Sequence, residues 1–64
     1  MGEDFLLQFF KYEHLPVDLQ EISKPFGVLA KALCELVSQN PERNMALRKL
    51  LEAKDCAVRA YLLK

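Results

Sequence analysis

The sequence predicts an all-α protein: a short N-terminal helix followed by a long antiparallel helical hairpin, assembled as a homo-oligomer. Three observations predict it. Apolar residues recur at three- and four-residue steps through two long segments. The stretch "SQNPE", Ser38 to Glu42, separates those segments. A chain of 64 residues with 52% apolar content also carries more apolar surface than so small a fold buries alone.

The N-terminal helix is read over Glu3 to about Phe10, where Phe5, Leu6, Phe9 and Phe10 form a greasy side. Three aromatic rings on so short a piece need cover, from the hairpin or from that of a neighbouring copy. The first hairpin helix is read from Pro16 to Ser38, kinked at Pro25. Its apolar series is Ile22, Phe26, Leu29, Leu33, Leu36 and Val37. Pro16 suits an opening turn, and Asp18 suits the positive end of the helix dipole. A proline inside a helix removes one backbone bond and bends the rod.

The second hairpin helix is read from Pro41 to about Leu63, roughly 34 Å of rod. Asn40 caps it, Pro41 fits its first turn, and Glu42 complements its dipole. Leu47, Leu50, Leu51, Val58, Tyr61 and Leu62 recur at helical spacing. The short connection makes the two long helices antiparallel neighbours. The whole chain, 1–64, is read as one domain.

Other staples for a small fold are not indicated. Cys34 and Cys56 each fall within an apolar helical series and read as buried, reduced thiols. One histidine without a close cysteine pair makes a poor zinc set, so no metal or other cofactor is expected. The start, "MGEDFLLQFF", has acids where a secretory signal has bases. No apolar run approaches a membrane span. Nine acids balance nine bases, which argues against a duplex-DNA footprint but not against a small anion held by a few cations.

No catalytic constellation is present, so the chain does not read as an enzyme. There is no Gly-rich phosphate loop, and no nucleophile has a histidine partner at recognisable spacing. Asp55 and Arg59 read as a helix salt bridge in the favourable order. Lys54 interrupts the apolar series between Leu50 and Val58, so it either snorkels along the seam or points into a polar pocket. Arg43 and Arg48 lie near a helix start, where the dipole disfavours cations and a bound anion would offset the placement. In "YEHLPVDLQEISKPF", Tyr12 offers a ring on which a base can stack. Lys24 offers a compact charge beside Pro25, and His14 reads as structural. On residue type alone, Tyr12 is a core or rim aromatic and Lys24 a solvated lysine.

"FKYEHLPVDLQEISKPFGVLAKAL" followed by "NPERNMALRKLLEAKDCAVRA" resembles the small phage anti-CBASS sponges and the hairpin domain they share with anti-Thoeris sponges. The likeness runs from about Phe10 to Ala60 and is carried by "YEHLP", "NPER" and "LLEAKDCAVRA" together. It implies a non-enzymatic protein in the cytoplasm of an infected bacterial host. Such a protein binds the cyclic oligonucleotide messengers of CBASS and keeps them from their effector. It implies a homo-oligomer, typically a hexamer, with cyclic dinucleotides between protomers and cyclic trinucleotides on a three-fold axis. By position, the stacking tyrosine is Tyr12, the phosphate-contacting lysine is Lys24 and the helix arginine is Arg59. Arg43 is the candidate for the trinucleotide site. The chain is shorter than the longer members around "SQNP" and at its C-terminus, which leaves the ligand range open. Two other readings compete: a structural or protein-binding hairpin without a nucleotide ligand, and a DNA-binding helix-turn-helix that the zero net charge disfavours.

Overall fold

A computed structural model describes residues 5–63, all in helices and their connections. A 3-10 helix, Phe5–Phe10, precedes α1, Val17–Leu36, and α2, Pro41–Leu63. The two long helices form the expected hairpin, and its longest dimension is 37 Å. Pro41 to Leu63 matches the predicted second helix at both ends.

The N-terminal piece differs from expectation in type. Its described part, Phe5–Phe10, is wound as a 3-10 helix, while Glu3 lies outside the described residues. The tighter winding suits a short segment, and the Gln8 side chain donates to the Phe5 carbonyl at 3.0 Å. The first hairpin helix is shorter than the predicted Pro16 to Ser38. Pro16 is its cap, with an extended backbone at φ −54° and ψ 154°, and its carbonyl accepts the Gln20 N–H at 2.9 Å. Val37 is extended at φ −122° and ψ 135° and closes the far end through its N–H to the Leu33 carbonyl. Pro25 lies within α1, which continues on both sides of it.

The hairpin turn is held by side chains of α2 and its cap. Asn40 Oδ1 accepts the Arg43 N–H at 2.8 Å, and the Asn40 carbonyl accepts the Asn44 N–H at 3.1 Å. This is the predicted cap. Arg43 then folds back: its Nη1 donates to the Cys34 carbonyl at 3.1 Å and the Val37 carbonyl at 2.7 Å. A cation at the C-terminal end of α1 meets carbonyls that have no helical partner.

The core is small. Phe10, Ala30 and Leu47 are buried, with Leu6, Leu7, Phe26, Leu33, Cys34, Leu50 and Leu51 packed around them. On α2 the inward positions are those the periodicity gives, except that Leu62 faces outward. On α1 the inward face is shifted. Ser23, Phe26, Ala30 and Leu33 turn inward, whereas Leu29 and Leu36 are exposed, Leu36 at 81%. Small residues take the seam because they let backbones approach, leaving larger apolar residues outside. Cys34 is half-buried, whereas Cys56 is exposed rather than buried as expected; both thiols are free.

Among the described residues, two polar contacts tie segments distant in sequence together. The Tyr61 hydroxyl donates to Asp18 Oδ2 at 3.0 Å, joining the end of α2 to the start of α1. Lys54 Nζ donates to the Phe9 carbonyl at 2.6 Å and lies 5.8 Å from the Phe10 ring centroid. Lys54 thus points into the molecule from the seam and fastens the 3-10 helix to α2.

Candidate ligand-binding site

The site begins with a turn. The Leu15 N–H donates to the Tyr12 carbonyl at 3.0 Å, and His14 sits exposed at the turn's corner. The Gln20 side chain closes this turn onto α1, donating to the Leu15 carbonyl at 2.7 Å and the Glu13 carbonyl at 3.2 Å. The turn sends the preceding strand of chain, Phe10 to Tyr12, across the face of α1.

Gly27 permits that crossing. A Cβ there would lie 2.9 Å from the Phe10 carbonyl oxygen and 3.4 Å from both Cδ2 and Cε2 of Tyr12. No described residue, glycine included, has a positive φ, so the need for Gly27 is one of space. The Tyr12 ring therefore packs on the backbone of α1.

A groove of about 930 Å³ opens beside this contact. The 3-10 helix and its connector supply Leu7, Gln8, Phe10, Lys11, Tyr12 and Glu13 to one wall. Helix α1 supplies Gly27, Val28, Lys31, Ala32 and Glu35 to the other. A shallower, apolar depression of about 580 Å³ adjoins it, lined by Glu21, Lys24, Pro25, Val28, Leu29 and Ala32. Val28 and Ala32 belong to both.

The cations follow from helical spacing. Lys24 and Lys31 stand three residues before and four after Gly27, so both share its face of α1. Their Cα atoms are separated by roughly 10 Å along the axis. Among the described residues, Lys11, Lys24 and Lys31 make no ion pair, and all three are exposed. Glu13, Glu21 and Glu35 line the same two hollows, so the surface is mixed in charge rather than a uniform basic patch. An aromatic face flanked by unpaired ammonium groups can stack a flat ring and neutralise a nearby anion.

The sequence-predicted residues are thus only partly brought together. Tyr12 and Lys24 occupy adjoining hollows on one face. Arg59 lines neither: it is exposed on α2, and its Nη2 donates to Cys56 Sγ at 3.3 Å. The expected Asp55–Arg59 bridge is not formed; Asp55 instead faces Lys54 at 3.9 Å. Arg43 lies at the hairpin turn, buried to 8% exposure, with Nη1 committed to two carbonyls. A phosphate contact there would have to displace those bonds.

Sequence reasoning missed Lys11, Lys31 and Gly27. A signal for two of them was present: Lys24, Gly27 and Lys31 repeat at one helical face. Lys11 could not be placed, because its position depends on how the connector crosses α1. Elsewhere, the Tyr61 hydroxyl has its pKa raised, first by its hydrogen bond to Asp18, then by burial and the charges of Asp18 and Glu21.

Among the described residues, no cluster of side chains is suited to a metal ion, and no helix is long and apolar enough to cross a membrane. No family model matches the chain, and neither does any curated protein or solved structure.

Proposed function

We propose that this protein binds cyclic oligonucleotide second messengers and sequesters them, as phage anti-CBASS sponges do, within the cytoplasm of an infected bacterium. The observation that carries the reading is the Tyr12 ring seated on Gly27, with Lys24 and Lys31 one helical turn to either side. Base stacking on an aromatic ring contributes about 1–3 kcal/mol per base. Ammonium groups without protein partners answer the ring phosphates. The function needs no bond-making step: a protein at sufficient abundance lowers the free messenger below what its effector requires.

The reading includes a homo-oligomer, a hexamer by resemblance. Its support is the apolar stripe of Pro25, Val28, Leu29, Ala32 and Leu36 along the outside of α1, spaced as one helix face. A neighbouring copy on that stripe would cover it and deepen the open groove, and by the resemblance Arg59 is the proposed third contact to the ligand. Burial between copies strengthens charge-assisted bonds by excluding water. Cyclic dinucleotides are the ligands proposed for this groove, by the resemblance. For cyclic trinucleotides the proposed contact remains Arg43, in competition with its role at the turn.

The same stripe favours the second reading, a protein-binding hairpin with no nucleotide ligand. A thermal-shift panel with cyclic di-GMP, cyclic GMP–AMP and cyclic triadenylate separates the two, read alongside native mass spectrometry. A ligand at a hundred times its dissociation constant stabilises the fold by about 2.7 kcal/mol. No shift with any of the three, from a particle of defined copy number, would leave the protein-binding reading standing alone.

A further inference from the structure

We propose that Lys54 is a positioning residue for the groove, acting through the 3-10 helix on the Tyr12 ring. The inference rests on the groove being a ligand site. Lys54 lies in the middle of α2, away from the groove lining, and its side chain is only 13% exposed. Its Nζ donates to the Phe9 carbonyl across 45 residues of sequence at 2.6 Å. That distance marks a strong charge-assisted bond. The alternative partner, Asp55, is 3.9 Å away and half-exposed, so the carbonyl is the principal contact. Phe9 stands one residue before the end of the 3-10 helix, where carbonyls lack helical partners.

The consequence passes along three residues. Phe10, whose ring lies 5.8 Å from Lys54 Nζ, is buried in the core. Its carbonyl oxygen then meets α1 at Gly27, and the Tyr12 ring meets the same glycine two residues later. Lys54 fixes the start of this short lever and the Gly27 contact fixes its end. Phe5 and Phe9 pack edge to face at 5.5 Å but are largely exposed, so they give the 3-10 helix little further anchorage on the hairpin. Leu6, Leu7 and Phe10 supply apolar adhesion, which is non-directional. The Lys54 bond supplies direction.

The test compares Lys54→Met, which keeps the apolar stem, with Lys54→Arg, which keeps a donor and a cation over the Phe10 ring. Two quantities are read: the nuclear Overhauser contact between the Tyr12 ring protons and Gly27 Hα, and the affinity for cyclic di-GMP. Lys54→Met is expected to retain its helical circular dichroism, lose most of the Tyr12–Gly27 contact and bind about tenfold more weakly, or roughly 1.4 kcal/mol. Lys54→Arg is expected to retain both contact and affinity. A Met variant with the contact intact overturns the inference, as does one whose hairpin unfolds, since Lys54 would then serve the whole fold. If the native protein shows no affinity for cyclic di-GMP, the nucleotide reading is what fails, and the ring contact still decides the role of Lys54.

Discussion

The Tyr12 ring and the Gly27 backbone are in direct contact: two ring carbons lie 3.4 Å from the point where a Gly27 Cβ would stand. The Phe10 carbonyl oxygen is closer still, at 2.9 Å from that point. Replacing Gly27 by alanine sets two effects against each other. Alanine favours a helix interior over glycine by about 0.8–1.0 kcal/mol. Its methyl group, however, meets a backbone oxygen that cannot swing aside. Overpacking of this kind costs about 1–3 kcal/mol. Gly27→Ala is therefore expected to lower the urea midpoint while leaving the helical signal unchanged. A raised midpoint would show that the connector yields freely.

Arg43 should behave as part of the fold. Its Nη1 holds two carbonyls at the end of α1, and the residue is buried. A hydrogen bond to a charged group contributes about 1.5–3 kcal/mol. Arg43→Met is expected to destabilise the hairpin by about 2 kcal/mol or more in chemical denaturation. Lysine, with one ammonium centre, cannot reproduce the planar fork and should restore only part of the loss. A neutral Arg43→Met substitution would return the guanidinium to the list of ligand contacts.

Tyr61 gives the molecule a pH response at the alkaline end. The folded-state pKa of its hydroxyl is raised, chiefly by donation to Asp18. A raised pKa means that the neutral form is favoured on folding. Its contribution is fully present below the unfolded value, about 10, and is lost as pH rises through the folded value. The melting-temperature difference between the native protein and Tyr61→Phe should be steady from neutral pH to about pH 9 and shrink above about pH 10. The effect is small because the pair is open to solvent. A difference that grows with alkalinity would contradict the Asp18 contact.

At the groove, Tyr12→Ala, Lys24→Ala and Lys31→Ala should each weaken binding of a cyclic dinucleotide. For Tyr12 and Lys24 the expected loss is at least tenfold, about 1.4 kcal/mol, with the particle mass unchanged. Isothermal calorimetry decides. Salt provides a second check: the lysine variants should show a shallower fall of affinity with ionic strength than the native protein, while Tyr12→Ala should keep the native slope. Equal affinities for Tyr12→Ala, Lys24→Ala and the native chain would remove the groove as the site.

Part of this architecture was legible residue by residue. "SQNPE" marked the turn and Asn40 its cap, and both stand where the sequence put them. The groove was legible only in fragments. Tyr12 and Lys24 were visible as candidates because of their chemistry, but Lys11 gained its place from a crossing that no local pattern encodes. Lys54 was visible as an anomaly in an apolar series, but its partner lies 45 residues away.

Local backbone preference and helical periodicity act over a few residues, so the sequence by itself determined where the helices run, how the hairpin turns and which face of α2 is apolar. Which face of α1 turns inward was a tertiary decision. Small residues at Ser23, Gly27 and Ala30 let neighbouring backbones come close, and close packing outweighed the larger side chains of Leu29 and Leu36. That choice set the Tyr12 ring on Gly27, left Lys24 and Lys31 exposed beside that contact and turned Arg43 into the clasp of the turn.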